Sequence, residues 1–337
     1  MVVFVASVTW GAEPPATAGD LIAAAERSIA ILETASAGSA ERRTCFTCHS
    51  QAHPVLAIVE AKHRGLRIDE ANLANQLRHT VEHLDRGRND YLEGRGQGGK
   101  SDTAGYALWT LRSGTVNAPE TTAPVVDWLL TQQLKAGNWK RSSDRPPSEA
   151  SHLATTYVAL KGIVDHDQGC PPDGNTENLV DRTADPIGRA REWLLDAVAA
   201  DTEDRVFRLL SLRLVAAPDS IIIAAAQVLL DGQREDGGWS QTETMESDAY
   251  ATGTAMFALH QTEQLAANAP AYLKGIDYLL KSQHDDGSWH VTSRSRPFQV
   301  YYETGFPHGK DQFISTSATA WATLAILFAL PVKQVDL

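Results

Sequence analysis

Cys45-Phe46-Thr47-Cys48-His49 is the stretch of this chain best equipped for chemistry. Two thiols two residues apart, followed at once by an imidazole, form the c-type haem attachment signature. The thiols add to the two porphyrin vinyl groups and the His ligates the iron. The chain has only three cysteines, so a disulfide-dense scaffold is excluded and chance formation of the motif is improbable. A thioredoxin-like use of the pair needs a βαβ context, which the flanking pattern lacks. A zinc knuckle needs two more ligands, and there is no second Cys-x-x-Cys. The motif therefore reads as covalent haem c on Cys45, Cys48 and His49, with neither zinc nor nucleotide expected. Cys170 lies in a Pro/Gly/Asp loop as a bystander.

Other residues are candidates to complete such a site. His53, His152, Met245, His290 and His308 fall in segments expected near the motif. His53, four residues after His49, would sit on the same side of the iron; His308 is the leading sixth ligand, and a five-coordinate iron is the alternative. It lies in a long connection, 290–314, with Arg294, Arg296, Tyr301, Tyr302, Phe306, Lys310 and Asp311. Aromatic and cationic groups on a long loop suggest a lid over a binding site; a self-packed Ω-loop is the plainer reading. Asp102 and Asp248 each follow a Ser at the start of an apolar stretch. Helix capping explains them, and acid–base catalysis is the functional alternative, with Glu149 a further acid in range. Tyr106, Trp109, Tyr157, Tyr250, Phe257 and Trp321 could line an apolar cavity, and plain packing is at least an equal reading. Gly94 to Ser101 matches a phosphate-binding loop, but the polar helical stretch before it is not the buried strand such a loop requires. His79 and His83, at i,i+4, lack a third ligand.

An internal repeat supplies the elements that position these groups. Gln-x3-Gly-x-Trp occurs at Gln133–Trp139, Gln233–Trp239 and Gln283–Trp289, the tryptophans falling 100 and then 50 residues apart. A unit of about 50 residues follows, with a degenerate copy around Trp193. Each motif lies between an amphipathic stretch and one apolar nearly all round. This predicts outer helices near 18–35, 70–86, 121–134, 186–199, 219–232 and 268–282. Inner helices are predicted near 52–64, 102–113, 150–164, 203–216, 247–262 and 314–330. Inner helices this apolar suit a closed ring, because an open solenoid needs polar end caps. The expected architecture is all-α: one α/α toroid of six hairpins over 13–335, with the haem segment at 36–53 joining the first pair.

The repeats and their spacing resemble the QW repeats of terpenoid cyclases, including squalene–hopene and oxidosqualene cyclases, and the toroid of protein prenyltransferase β subunits. Glu303-Thr304-Gly305-Phe306-Pro307 is similar to the Gly-Thr-Gly-Phe-Pro late in hopene cyclases. The resemblance covers about residues 100–330 and implies the toroid fold. It departs at the chemistry. Class II cyclases protonate substrate through Asp-x-Asp-Asp, whose central acid is kept protonated, and that string is absent. Prenyltransferases bind zinc through Asp-x-Cys, where this chain reads Asp248-Ala249-Tyr250. The whole chain resembles a bacterial group of prenyltransferase/squalene-oxidase repeat proteins that join a toroid to an N-terminal haem motif.

A net charge of −12 and no basic run argue against nucleic acid, and no apolar stretch is long enough to span a membrane. Residues 1–12 resemble the remnant of a secretory signal, so a periplasmic or otherwise exported protein is expected. The leading sequence-based function is an exported haem protein passing electrons to a redox partner beside a cavity for a hydrophobic, isoprenoid-like molecule. The alternatives are a terpenoid cyclase-like isomerase and a non-catalytic scaffold.

Overall fold

Inner helices that are apolar on every side can only be buried together, and the chain buries them in a ring. The computed structural model describes residues 16–166, 179–296 and 300–331. Helices α1 (Ala18–Arg42), α3 (Glu70–Arg86), α6 (Pro119–Thr131), α8 (Leu179–Asp196), α10 (Asp219–Leu230) and α12 (Pro270–Ser282) form the outer layer. Helices α2 (His53–His63), α5 (Lys100–Ser113), α7 (His152–His166), α9 (Thr202–Leu214), α11 (Ala249–Gln261) and α13 (Gln312–Phe328) form the inner one. A five-residue helix, α4 (Arg88–Leu92), follows α3. The inner helices contact one another in the order α2, α5, α7, α9, α11, α13, and α13 packs back on α2. The ring is thus closed, as the missing caps required. Nearly every residue of α13 is buried.

The repeat explains the closure. In each copy the Gln side-chain amide donates to its own turn and to the next outer helix. Gln133 bonds the Gly137 and Pro186 carbonyls, both at 2.8 Å, and Gln233 those of Gly237 (2.9 Å) and Ala271 (2.7 Å). Gln283 bonds Gly287 at 3.1 Å and Ala24 of α1 at 2.9 Å, so the last unit is stapled to the first. The turn glycines must be glycines. Gly237 has φ 89°, and a Cβ there would stand 2.4 Å from the Lys274 carbonyl oxygen. Each Trp is buried, and its indole N–H donates to a carbonyl ten residues back, on Leu129, Leu229 or Leu279. Its backbone N–H donates to a threonine of the following inner helix, Thr156, Thr252 or Thr319.

Two boundaries differ from expectation, and the first is the start of α8, at Leu179 rather than near 186. Helix α1 runs on to Arg42, past the predicted end near residue 35, which shortens the segment before the Cys motif. The run Ala35 to Ala40 reads as a linker because its residues are small. They are small because the helix lies against the 302–306 segment there. A Cβ on Gly38 would sit 2.1 Å from the Thr304 carbonyl oxygen.

Candidate functional site

Two groups of chemistry-bearing side chains lie where the inner helices begin, and a third, aromatic, lies deeper between them. The Cys motif comes first. Cys45 is exposed and Cys48 half-buried. Cys48 opens a short π-helical turn, Cys48–Ala52, that runs into α2. His49 is half-buried as a residue, but its Nε2 is shielded from water and has no hydrogen-bond partner. Its ring lies 4.4 Å from Phe313, and burial depresses its pKa to about 4. Burial, reinforced by the Glu149 and Asp102 carboxylates, pushes the Cys48 thiol well up. His49 faces a cavity of about 190 Å³ lined by Arg145, Ser148, Glu149, Ser293, Tyr301, Lys310 and Phe313 among others.

The second group is carboxylic. Asp248 caps α11, accepting from the Ala251 backbone N–H at 2.9 Å and from Gln241 at 3.0 Å. Its capping role was legible in the sequence; its depth was not, and burial raises its pKa from an ordinary 3.8 to about 6. Asp102 is no cap. Helix α5 already starts at Lys100, and the Asp102 carboxylate reaches sideways to Thr155 of α7 and to Ser142. Burial raises its pKa as well.

The residue that sequence reasoning missed is Glu203, in the first turn of α9. It is 3% exposed. One oxygen accepts from the Tyr250 hydroxyl at 3.0 Å, and the other, Oε2, is buried without a partner. Burial, with the neighbouring Asp201 charge, pushes its pKa well up, which favours the protonated acid. Two signals pointed to it. Asp201-Thr202-Glu203-Asp204 is the Asp-x-Asp-Asp string with Glu at its third position. It also opens an inner helix, as Asp102 and Asp248 do.

The third group is aromatic. Of the two readings open to Tyr106, Trp109, Tyr157, Phe257 and Trp321, cavity lining or packing, the rings here pack: Trp109 lies 6.2 Å from Phe257 on the opposite side of the ring and 5.5 Å from Tyr157. Phe257 lies 4.9 Å from Trp321. With the interior so apolar, side chains fill the ring axis. The Tyr106 hydroxyl and the Trp321 indole N–H are buried there without partners.

The 290–314 connection packs on this end. Arg294 donates to Gln241 at 2.7 Å, the same Gln that holds Asp248, and its Nη2 is buried without a partner. Tyr302 bonds Ser39 of α1 (3.2 Å) with Arg43 over its ring. Arg296 turns to the Ser295 carbonyl, Phe306 is buried, and Tyr301 is exposed beside Glu303. His308 turns away from His49: its Nε2 pairs with Ser288 at 2.8 Å and its ring stacks on His290. The structure therefore does not bring together His49 and its expected sixth ligand. Phe298, Cys170 and the signal-like residues 1–12 lie outside the described residues.

Whether the site suits a haem is a question of donors and of room. Two thiols and an imidazole with an unpartnered nitrogen are the right donors. The room is less suitable. The cavity of about 190 Å³ is below the ~300 Å³ lower end of ordinary ligand pockets, and Phe313 already covers the His49 ring. As arranged, the residues do not admit a porphyrin.

Residues 174–336 match the family model of the squalene–hopene cyclase C-terminal domain. That match covers just under half of the chain, and the fold is the α/α toroid of terpene cyclases. Lanosterol synthase of Saccharomyces cerevisiae is 30% identical over 112 residues, 33% of this chain and 14% of the synthase. A squalene–hopene cyclase of Bradyrhizobium diazoefficiens is 30% identical over 120 residues, 30% of this chain and 17% of the cyclase. The toroid thus spans under a fifth of the length of these relatives. The type II terpene cyclase MstE of Scytonema matches as a whole. It superposes with a TM-score of 0.57 at 14% identity, covering 94% of this toroid and all of MstE. Among the described residues no helix of the toroid is long and apolar enough to cross a membrane.

The raised pKa of Asp248 has a measurable consequence. Below about pH 4 the folded and unfolded states both carry its proton. Between pH 4 and about 6 the folded state keeps a proton that the unfolded state has lost, so stability falls as pH rises. Above that, the full cost of the buried charge is present. Asp248→Asn removes this dependence. Measured by denaturant unfolding, the variant gains on the wild type by up to roughly 3 kcal/mol between pH 4 and pH 7. A constant hydrogen-bond cost of the substitution cancels in that comparison. Equal slopes for the two proteins would mean that Asp248 ionises normally.

Proposed function

We propose that this toroid catalyses a proton-initiated isomerisation of an unsaturated isoprenoid, with Glu203 as the proton donor. The observation that carries the reading is the buried Glu203 carboxyl, hydrogen-bonded to Tyr250 with its Oε2 unpartnered, where burial pushes its pKa well up. A protonated carboxylic acid in an apolar setting is a strong donor toward a π bond, since no water competes for the proton.

In the reaction the Glu203 proton forms a C–H bond with one alkene carbon, leaving the cation on its neighbour. The π electrons of a second alkene in the chain close a ring onto that cation. The cyclised cation then gives a proton to solvent, leaving the C–H bond's electron pair as the new double bond, so the net change is an isomerisation. Tyr250 stabilises the carboxylate left behind, which solvent reprotonates. The electron-rich faces of Trp109, Phe257 and Trp321 stabilise passing positive charge. Because these rings meet at the axis, productive binding parts them and opens the mouth. MstE has been crystallised with geranylgeranyl dihydroxybenzoate as substrate, which makes that compound a reasonable first probe.

The test is incubation of the protein with geranylgeranyl dihydroxybenzoate or squalene in D2O. The reading predicts a cyclised product carrying one deuteron at the protonated carbon. Unchanged substrate from both probes, or product without deuterium, contradicts it. The haem-protein reading, with its redox partner and export, rests on the Cys motif and the N-terminal run, and the site geometry favours the acid over it.

A further inference from the structure

We propose that Cys48, His49 and Glu149 form a mononuclear site for a divalent transition-metal ion of the zinc type. The Cys48 sulfur, a His49 ring nitrogen and a Glu149 carboxylate oxygen all lie within 4.8 Å of one another. Metal–ligand bonds of 2.0–2.3 Å place tetrahedral ligands about 3.5 Å apart, so side-chain shifts of about 1 Å close the site. Thiolate, imidazole and carboxylate together suit a borderline ion rather than a hard one such as magnesium.

A second observation points the same way. His49 Nε2 is buried without a hydrogen-bond partner, so that nitrogen is available to a ligand. The carboxylate is steadied from outside, accepting from Ser143 at 2.9 Å and Arg145 at 3.2 Å. Ligating carboxylates are characteristically supported in this way. Three protein ligands leave a fourth position open, as in catalytic zinc sites. Here it faces the cavity bounded by Ser293, Tyr301 and Lys310.

The sequence hid this site because its third ligand lies 100 residues downstream of the second. Binding deprotonates the Cys48 thiol and releases that proton to solvent. A thioether-linked haem would use the same sulfur and the same imidazole, so the two occupants exclude each other. They differ at Cys45, which haem attachment needs and the ion does not, and at Glu149, which the ion needs. The site is independent of the Glu203 reading.

The test uses the full chain, treated with chelator and titrated with Co(II) alone. The readouts are the absorption spectrum and metal content by mass spectrometry. One cobalt per chain is expected, with a thiolate-to-cobalt charge-transfer band and intense visible bands of tetrahedral cobalt. Cys48→Ser and Glu149→Ala weaken binding by at least about 100-fold, beyond the ~10–100-fold that losing a supporting group costs. Cys45→Ser binds as the wild type. Circular dichroism checks each variant, and Glu149→Ala decides alone if Cys48→Ser does not fold. Three results overturn the proposal: no stoichiometric cobalt, binding undiminished in folded Glu149→Ala, or covalent haem on both cysteines when the chain is produced with the c-type haem maturation system.

Discussion

Glu203→Gln folds like the wild type and loses roughly 10²–10⁴-fold in turnover, the usual contribution of a general acid. The amide keeps the carboxyl's shape, and its oxygen still accepts from Tyr250 at the position of Oε1. Its NH2 takes the place of Oε2, which has no partner to lose. What disappears is the transferable proton. A loss of that size corresponds to about 3–5 kcal/mol in the barrier. Glu203→Asp keeps an acid but draws it back by one methylene, away from Tyr250, so intermediate turnover is expected. Tyr250→Phe leaves the proton in place and removes the group that stabilises the carboxylate after transfer. It slows turnover without abolishing it. The check is product formation per enzyme by mass spectrometry across the four proteins. Wild-type turnover in folded Glu203→Gln would remove Glu203 from the reaction.

Trp239→Ala is the largest expected effect on stability. The side chain is 1% exposed and bonds the Leu229 carbonyl at 2.7 Å. Truncating a buried Trp costs about 3–5 kcal/mol, and losing its hydrogen bond adds about 1, since the Leu229 carbonyl keeps the Gly232 N–H at 3.2 Å. The sum is a large part of the 5–15 kcal/mol that separates a typical domain from its unfolded state. Trp239→Phe refills part of the space but still loses the indole hydrogen bond, so it falls between. Denaturant midpoints measure the series. Loss of less than about 1 kcal/mol in Trp239→Ala would show that the repeat turns do not hold the ring together.

The repeat made the fold readable. Gln, Gly and Trp each have one physical task in the turn, and the three copies give the period directly. The inner helices follow from their lack of a polar face. What the sequence could not reveal is convergence. Asp201 to Asp204 reads as an ordinary acidic first turn, with Asp201 capping the Asp204 N–H at 3.0 Å. Only ring closure buries Glu203 and brings Tyr250, 47 residues later, onto its carboxyl. The unit that carries it is the degenerate one, without a Gln-Gly-Trp turn to draw attention. Glu149 is similar: nothing local ties it to Cys48 and His49. The aromatics were correctly placed on inner helices, but whether they line a space or fill it depends on ring diameter, which periodicity does not encode. His308 was expected beside the haem motif because both lie on connecting segments, but Ser288 and His290 hold it elsewhere.

The central claim is that Glu203 is a neutral acid at physiological pH. An infrared difference spectrum between wild type and Glu203→Gln at pH 7 tests it most directly. The account predicts a protonated-carboxyl C=O stretch in the wild type that shifts in D2O and is missing from the variant. A carboxylate band in its place, titrating near pH 4 to 5, would contradict it.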